Sequence, residues 1–235
     1  MDAVTSPDGP SWTPGSFLAR ISPGRRAELL ALGVTRRLTA GKHLLVEGNR
    51  DTHVELIREG HVKVTVAAGG ASRLLAIRLP GDIVGEFAAV TGNGRSATVT
   101  ACGEVVSTVI RQTEFLRYLG RHPEVANQVT ATVGERLRWA NARRSEFAAF
   151  PVHVRLARVL GDIAATCGEA SGDGVLIGVR LSQTELATLV GAAEDTVQKS
   201  LRMLRDRGLI RTGYSRITVL DLPGLLALVQ ETDRP

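Results

Sequence analysis

Between Val34 and Ile110 the chain is a series of short apolar runs parted by glycine turns: HLLVEG, HVELIREG, HVKVTVAAGG, RLLAIRLPGD, ATVTACG and VVSTVI. Alternation over about four to six residues, with a turn signal roughly every ten, is the pattern of an antiparallel barrel or sandwich. From Pro123 the rhythm changes. Val125, Val129, Val133, Leu137 and Ala140 recur at intervals of four and three, which lays one apolar stripe along a helix running to about Phe147. A helix of roughly six turns is too long for one small barrel to cover. Packing against a symmetry mate buries such a stripe, because two-fold dimers dominate soluble oligomers; packing on the chain's own second domain is the alternative. Gly134 costs this helix about 1 kcal/mol relative to Ala, a sign of close backbone approach there. AAFPV ends the helix at Pro151.

The flanking segments complete an α+β reading. Residues 1–16 carry eight Pro, Gly or Ser and no apolar period, so they read as a loose tail that Trp12 can dock. Ser22-Pro23 places an N-cap residue and a first-turn proline before RRAELLALG, a short helix stopped by Gly33, and Gln112–Gly120 is a second short helix. Beyond Pro151, VRLARVLGDIAATCG is an amphipathic helix, EASGDG is flexible in composition, and VLIGVR is a strand. LSQTELATLV opens with a capping box, Ser182 and Glu185. A turn at Gly191 leads to EDTVQKSLRMLRDRG, closed by Gly208, and LIRTGYSRITVLD then forms a two-strand wing. The expected divisions are therefore a tail (1–16), a β domain (17–122), a dimerisation helix with hinge (123–150) and a winged helix-turn-helix (151–235).

Composition narrows the function. At about 150 residues per domain, 235 residues make one large or two modest domains, and 43% hydrophobic with 23% charged residues is globular. No apolar run approaches the roughly 20 residues of a membrane span, and the N-terminus lacks a basic start and an apolar stretch. The expectation is a cytoplasmic protein with no membrane partner. Cys102 and Cys167 are too few for a disulfide framework, a four-cysteine zinc site or an iron–sulfur cluster. His43, His53, His61, His122 and His153 form no ligand-spaced pair. With neither a nucleophile elbow nor a P-loop, no catalytic or metal-binding residue stands out, and a non-enzyme is expected. Net charge is +5, and the stretch from Lys199 to Arg216 holds six bases (Lys199, Arg202, Arg205, Arg207, Arg211, Arg216) against one acid, Asp206. Such a run is either a solvated face or, on the second helix of a helix-turn-helix with its wing, a surface for DNA phosphates.

RLPGDIVGEFAAVTGNGRSATVTA at 78–101 and LSQTELATLVGAAEDTVQKSLRMLRDRGLI at 181–210, with glycines at 41, 48 and 60, resemble the cyclic-AMP receptor (CRP/FNR) family of bacterial transcription regulators. The resemblance spans residues 34–220. It implies a cyclic-nucleotide-binding β-roll, a long dimerisation helix, a winged helix-turn-helix that reads a two-fold operator in double-stranded DNA, and RNA polymerase as a partner if the protein is an activator. No cofactor is implied beyond an allosteric ligand, cyclic AMP.

Residue by residue, the cassette Gly85-Glu86 and Arg95-Ser96-Ala97 would hold the ligand. Arg95 forks onto the ring phosphate, Ser96 adds a hydroxyl, Gly85 and Ala97 let backbone approach, and Glu86 accepts from the ribose 2′-OH. A surface salt bridge between Glu86 and Arg95 is the plainer alternative. Aligned through Arg136-Leu137, Ala140 and Asn141 take the places of the family's adenine-contacting Thr and Ser. Asn141 can donate and accept, but Ala140 removes a partner. Arg136 and Trp139 lie near the base or simply pack. In the second helix Glu194, Asp195 and Lys199 occupy the base-reading positions where the family has Arg, Glu and Arg. The acids equally suit the helix dipole, and no Ser, Thr or Asn stands at 192 or 193 to cap it. Ser182, Gln183, Thr196 and Arg202 are assigned to phosphates. Two other readings stay open: a regulator of the same fold that ignores nucleotides or uses another effector, and a nucleotide-sensing regulatory subunit of an enzyme.

Overall fold

The computed structural model describes residues 12–214 and 216–232. These divide into two compact units: residues up to Ser72 with Ala76–Arg136, and Arg73–Leu75 with the residues from Leu137 onward.

The first unit begins with α1 (Phe17–Arg20) and α2 (Pro23–Ala31). Strands β1 (Val34–Leu38), β2 (His43–Leu45), β3 (Val54–Glu59), β4 (Val62–Ala68), β5 (Ala71–Arg78) and β6 (Ile83–Val84) follow. After α3 (Glu86–Thr91) come β7 (Thr98–Ala101), β8 (Val105–Ile110) and α4 (Gln112–Arg121). The strands form two four-stranded sheets, ordered β1-β8-β3-β6 and β2-β7-β4-β5. Strands β3, β6 and β8 of the first sheet are buried on both faces. Val54, Leu56, Ile83 and Ile110 pack with Phe17, Leu18, Leu29, Phe115 and Tyr118 from the helices. Ile57, Val84 and Val105 face Leu44, Leu45, Val62 and Val99 of the second sheet. Two apolar faces require a nearly continuous apolar run, and the buried stretch of β3, Val54–Ile57, has one with a single exception: Glu55 is fully buried between Val54 and Leu56.

Helix α5 (Pro123–Ala149) is the long helix that the stripe predicts, two residues longer than expected. The stripe divides. Val125 and Val129 are buried in the first unit's own core, whereas Leu137 is 61% exposed and Trp139 40%. The first two turns thus bury their apolar face without a partner chain, which corrects the single continuous seam read from the spacing. A side chain at Gly134 would meet nothing within 4 Å, so the close approach expected there does not occur within this chain.

The second unit continues with α6 (Val152–Cys167), β9 (Gly168–Ser171), β10 (Gly174–Ile177), α7 (Gln183–Val190), α8 (Glu194–Asp206), β11 (Ile210–Gly213), β12 (Arg216–Val219) and α9 (Leu222–Thr232). Its sheet is ordered β11-β12-β10-β9. EASGDG is therefore a hairpin strand and turn, not a flexible linker: Glu169, Ala170 and Ser171 pair in register with Leu176, Val175 and Gly174. The capping box at Ser182 forms on both sides, at 3.1 and 2.8 Å. Helix α9 had no counterpart in the sequence reading, although Asp221 accepts from the Gly224 amide at 2.9 Å as an N-cap with Pro223 in the first turn.

Of the segment read as a loose tail, residues 1–11 lie outside the described residues. Residues 12–16 are anchored: the Thr13 amide donates to the Pro80 carbonyl at 3.1 Å, Ser16 is buried, and Trp12 packs on the helical core.

Candidate functional site

In the first unit the cassette turns on Gly85, whose φ of 83° is left-handed. A Cβ there would lie 2.6 Å from Arg95 Nη1 and 2.9 Å from the His53 carbonyl, so only glycine leaves room for the guanidinium. Arg95 is buried, its side chain 2% exposed, and every guanidinium nitrogen has an acceptor. Nε donates to Asp51 Oδ1 at 2.6 Å, Nη1 to the Gly85 carbonyl at 3.1 Å and Nη2 to the His53 carbonyl at 2.7 Å. Nη2 also pairs with Asp51 Oδ1. Asp51 and His53 sit on the connection between β2 and β3 and were not singled out in the sequence, because Asp51 lies 44 positions from Arg95.

Glu86, at the start of α3, does not pair with Arg95. Arg136 Nη1 holds its Oε1 at 2.6 Å, and Arg136 Nη2 donates to the Ile83 carbonyl at 2.7 Å. The surface salt bridge weighed for Glu86 and Arg95 is thus replaced by two separate pairs, each with one buried partner. Glu86 Oε2 bonds no described residue and is free to accept a hydroxyl. Ser96 is exposed and Ala97 half-buried. Arg78, at the end of β5, makes no hydrogen bond or ion pair with a described residue. Burial, with repulsion from Arg136 next, pushes it down to about 10. Ala140 and Asn141 are exposed and belong to the second unit. Trp139 packs under Arg143, whose guanidinium carbon lies 4.3 Å from the ring centre.

A polar chain leads inward from the cassette. His53 Nδ1 is 3.3 Å from Arg95 Nη2, and His53 Nε2 is 3.4 Å from Glu55 Oε1. His53 Nδ1 also lies 3.5 Å from Asp51 Oδ1, so the ring joins the two carboxylates. Glu55 also accepts from Arg36 Nη1 at 2.9 Å and Ser107 Oγ at 2.5 Å. Arg36 on β1 stands directly opposite Ser107 on β8, so the sheet register itself assembles this set.

In the second unit α8 turns Val197, Ser200, Leu201 and Leu204 inward. Asp195, Lys199 and Arg202 recur at helical spacing on the opposite face, and with Glu194 and Thr196 they are exposed. Ala193 is the N-cap and offers no side chain, so the two acids carry the helix start alone. Beside α8 lies a cleft of about 460 Å³, lined among others by Ser182, Gln183, Arg202, Arg205, Tyr214 and Arg216. Of the predicted phosphate set, Ser182, Gln183 and Arg202 meet here, and Thr196 does not line the cleft. One member of the basic run is withdrawn: Arg211 forks onto Asp173 at 2.7 and 3.0 Å, and that contact holds the Asp173 carboxyl below its usual range.

The helix-turn-helix is braced from behind. Arg155, buried on α6, donates to the Val190 carbonyl at 2.6 Å, and Arg143 donates to the Leu189 carbonyl at 2.8 Å. Two cations thus sit on the last carbonyls of α7, where the helix dipole favours them. Burial holds both guanidiniums below the ordinary arginine range. The Phe147 ring fills the space beside Gly191, where a Cβ would approach it to 2.9 Å. Among the described residues no cluster of His, Cys, Asp and Glu is placed to hold a metal, and no helix is long and apolar enough to cross a membrane.

A glycine-hinged cassette with a buried guanidinium, followed by a winged helix-turn-helix with a basic outer face, defines a DNA-binding regulator carrying a cyclic nucleotide-binding domain. Comparison with known proteins agrees. The cyclic nucleotide-binding domain family matches residues 35–122, and the Crp-like helix-turn-helix domain family matches residues 154–228. The chain belongs to the CRP/FNR family of transcription regulators. It is 28% identical over 182 residues to the CRP-like cAMP-activated global transcriptional regulator of Mycobacterium tuberculosis, covering 77% of this chain and 81% of that protein. To the transcriptional regulator LdrP of Thermus thermophilus it is 29% identical over 192 residues, covering 81% and 94%. The crystal structure of a CRP-family transcriptional regulator from Thermus thermophilus superposes with a TM-score of 0.69 at 26% identity, covering 83% of this chain and 96% of that one.

Proposed function

We propose that the protein is a homodimeric regulator whose affinity for a two-fold operator is set by a cyclic nucleotide, cyclic AMP, bound at the cassette. The observation that carries this reading is Arg95 itself. A guanidinium buried beside a glycine that leaves it room, next to a carboxylate with one free oxygen, matches a ligand with one ring phosphate and a ribose hydroxyl. In this reading Arg95 takes the phosphate, Glu86 the 2′-OH with Arg136 orienting it, and Asn141 the base. Leu137 and Trp139, exposed on α5, make the seam with a second copy. Glu194, Asp195 and Lys199 read bases, while Ser182, Gln183, Thr196 and Arg202 hold phosphates. Relatives named as cAMP-activated support the choice of ligand. A ligand of this kind acts only through its differential affinity for the DNA-competent state.

Calorimetry with cyclic AMP and cyclic GMP tests the site, with Arg95→Ala expected to lose most of the affinity. Sedimentation of Leu137→Glu, expected to be monomeric, tests the seam. One feature favours a second reading, a regulator of the same fold that works without nucleotide: Arg95 is already fully satisfied by its own chain. Operator binding that is equally tight with and without ligand would select that reading.

A further inference from the structure

We propose that Asp51 is a built-in competitor for the phosphate position, the anion Arg95 holds until a cyclic phosphate displaces it. Ligand binding at this site is then an exchange of one anion for another. The inference rests on the nucleotide reading above and concerns how that site is controlled.

Arg95 is almost wholly out of water, and a lone guanidinium there would be strongly unfavourable without a counter-charge. Its partners differ in kind. The Gly85 and His53 carbonyls are backbone; they orient the guanidinium plane and stay where the chain puts them. Two side chains also reach the guanidinium, His53 through Nδ1 at 3.3 Å and Asp51, and of these the carboxylate brings the negative charge that a phosphate could replace. The Asp51 side chain is 39% exposed, on the connection between β2 and β3. It meets Arg95 through Oδ1, which also lies 3.5 Å from His53 Nδ1, and Oδ2 makes no hydrogen bond with a described residue, so the carboxylate is held at one oxygen only.

A cyclic phosphate carries one negative charge, as the carboxylate does. Exchanging them leaves the buried cation compensated throughout, and the ligand gains only the difference between two charge-assisted contacts. Asp51 thereby sets the threshold concentration and selects ligand class. A neutral nucleoside offers nothing to replace the carboxylate, while a phosphodiester does.

The test compares wild type with Asp51→Asn, which keeps the shape without the charge, and with Asp51→Glu, which keeps the charge. Asp51→Ser, whose hydroxyl still accepts from Arg95, serves if the asparagine variant does not fold. Removing the competitor should tighten cyclic AMP or cyclic GMP binding by about ten- to a hundredfold in calorimetry, whereas Asp51→Glu should stay within about threefold of wild type. Adenosine should bind none of them. Unchanged or weaker binding by the neutral variants, or an equal gain in Asp51→Glu, overturns the proposal.

A second readout separates it from the nucleotide reading: inorganic phosphate, against chloride at equal ionic strength, should raise the melting temperature of Asp51→Asn more than that of wild type. That result without any cyclic-nucleotide binding would keep the exchange and discard the nucleotide. Its absence together with unchanged nucleotide affinity would discard the exchange alone.

Discussion

Around Arg95 and Glu55 every charge ends on an atom of the same chain, whereas on the outer face of α8 Glu194, Asp195, Lys199 and Arg202 end on no described residue. Both regions are rich in charge, and burial separates them. In the β-roll, low dielectric makes an unpaired charge unfavourable, so around Arg95 and Glu55 each one is matched by register or by a loop and the match becomes part of the fold, whereas Arg78, which bonds no described residue, is pushed down to about 10. On α8 water solvates the side chains, folding asks nothing of them, and they stay available to a partner. Substitutions should therefore unfold the first region and redirect the second.

The largest effect is expected at Glu55. Glu55→Ala leaves Ser107 and the Arg36 guanidinium without their acceptor inside the sheet, and should destabilise the protein by about 3–5 kcal/mol in urea denaturation. A loss under about 1 kcal/mol would mean that water reaches the site and that the contrast between the two regions is weaker than drawn.

Next comes Arg155, which combines both behaviours because it is a buried cation serving the helix-turn-helix. Arg155→Ala removes donors from the end of α7 and the stacking on Phe147, whose ring centre lies 5.3 Å from the guanidinium carbon. A loss of about 2–3 kcal/mol is expected, with weaker DNA binding following from the disturbed α7–α8 turn.

On α8 the pattern should reverse. Lys199→Ala is expected to change stability by less than about 0.5 kcal/mol, yet to remove about 1–3 kcal/mol of base discrimination in selection from random duplexes. Arg202→Ala should lower affinity on all sequences alike and reduce the log–log salt slope by about one. Glu194 cannot donate to guanine, so the selected half-site should differ from the family's common one at that base pair. Recovery of the common palindrome, with Glu194→Ala unchanged, would make Glu194 a helix-start charge only.

The smallest effect concerns Tyr118, where burial and the Glu28 carboxylate push the phenol up to about 12 from its ordinary 10.0. A folded pKa raised in this way means that stability is fully present below 10 and is lost as pH rises from 10 to about 12, because the unfolded chain ionises first. With Tyr214→Phe isolating the signal, tyrosinate absorbance should appear only near the upper value. Ionisation at the ordinary value would show that the contact between the Tyr118 hydroxyl and Glu28, 3.0 Å in the structure, does not persist in solution.

Much of this was readable in the residues. The glycine-parted runs, Pro123, Pro151, the Ser182 capping box and the apolar positions of α8 act over a few neighbours, and local sterics and hydrogen bonding decide them. Three features were read wrongly or overlooked. EASGDG is polar and glycine-rich, yet pairing with β10 makes it a strand. The stripe on α5 is one pattern with two fates, because Val125 and Val129 meet the chain's own core and Leu137 does not. Helix α9 was missed although Asp221 and Pro223 announce it, since a short apolar stretch near the end of a chain carries little periodicity.

At the site, Gly85, Glu86 and Arg95 stand out because close backbone approach and a fixed cation leave marks in a short motif. Their partners do not. Asp51 is an ordinary charged residue in the chain, and nothing local distinguishes it from a solvated one, while Arg136 enters only through the resemblance, near the base and not as the partner of Glu86. The sequence by itself determined most of the order of elements and the two kinds of domain, because periodicity, capping and turn geometry are local. Only the tertiary structure decided who neutralises whom: Asp51 rather than Glu86 on Arg95, Arg136 on Glu86, Arg36 on Glu55 and Asp173 on Arg211. Charge compensation depends on distance and burial, and both are properties of the folded chain.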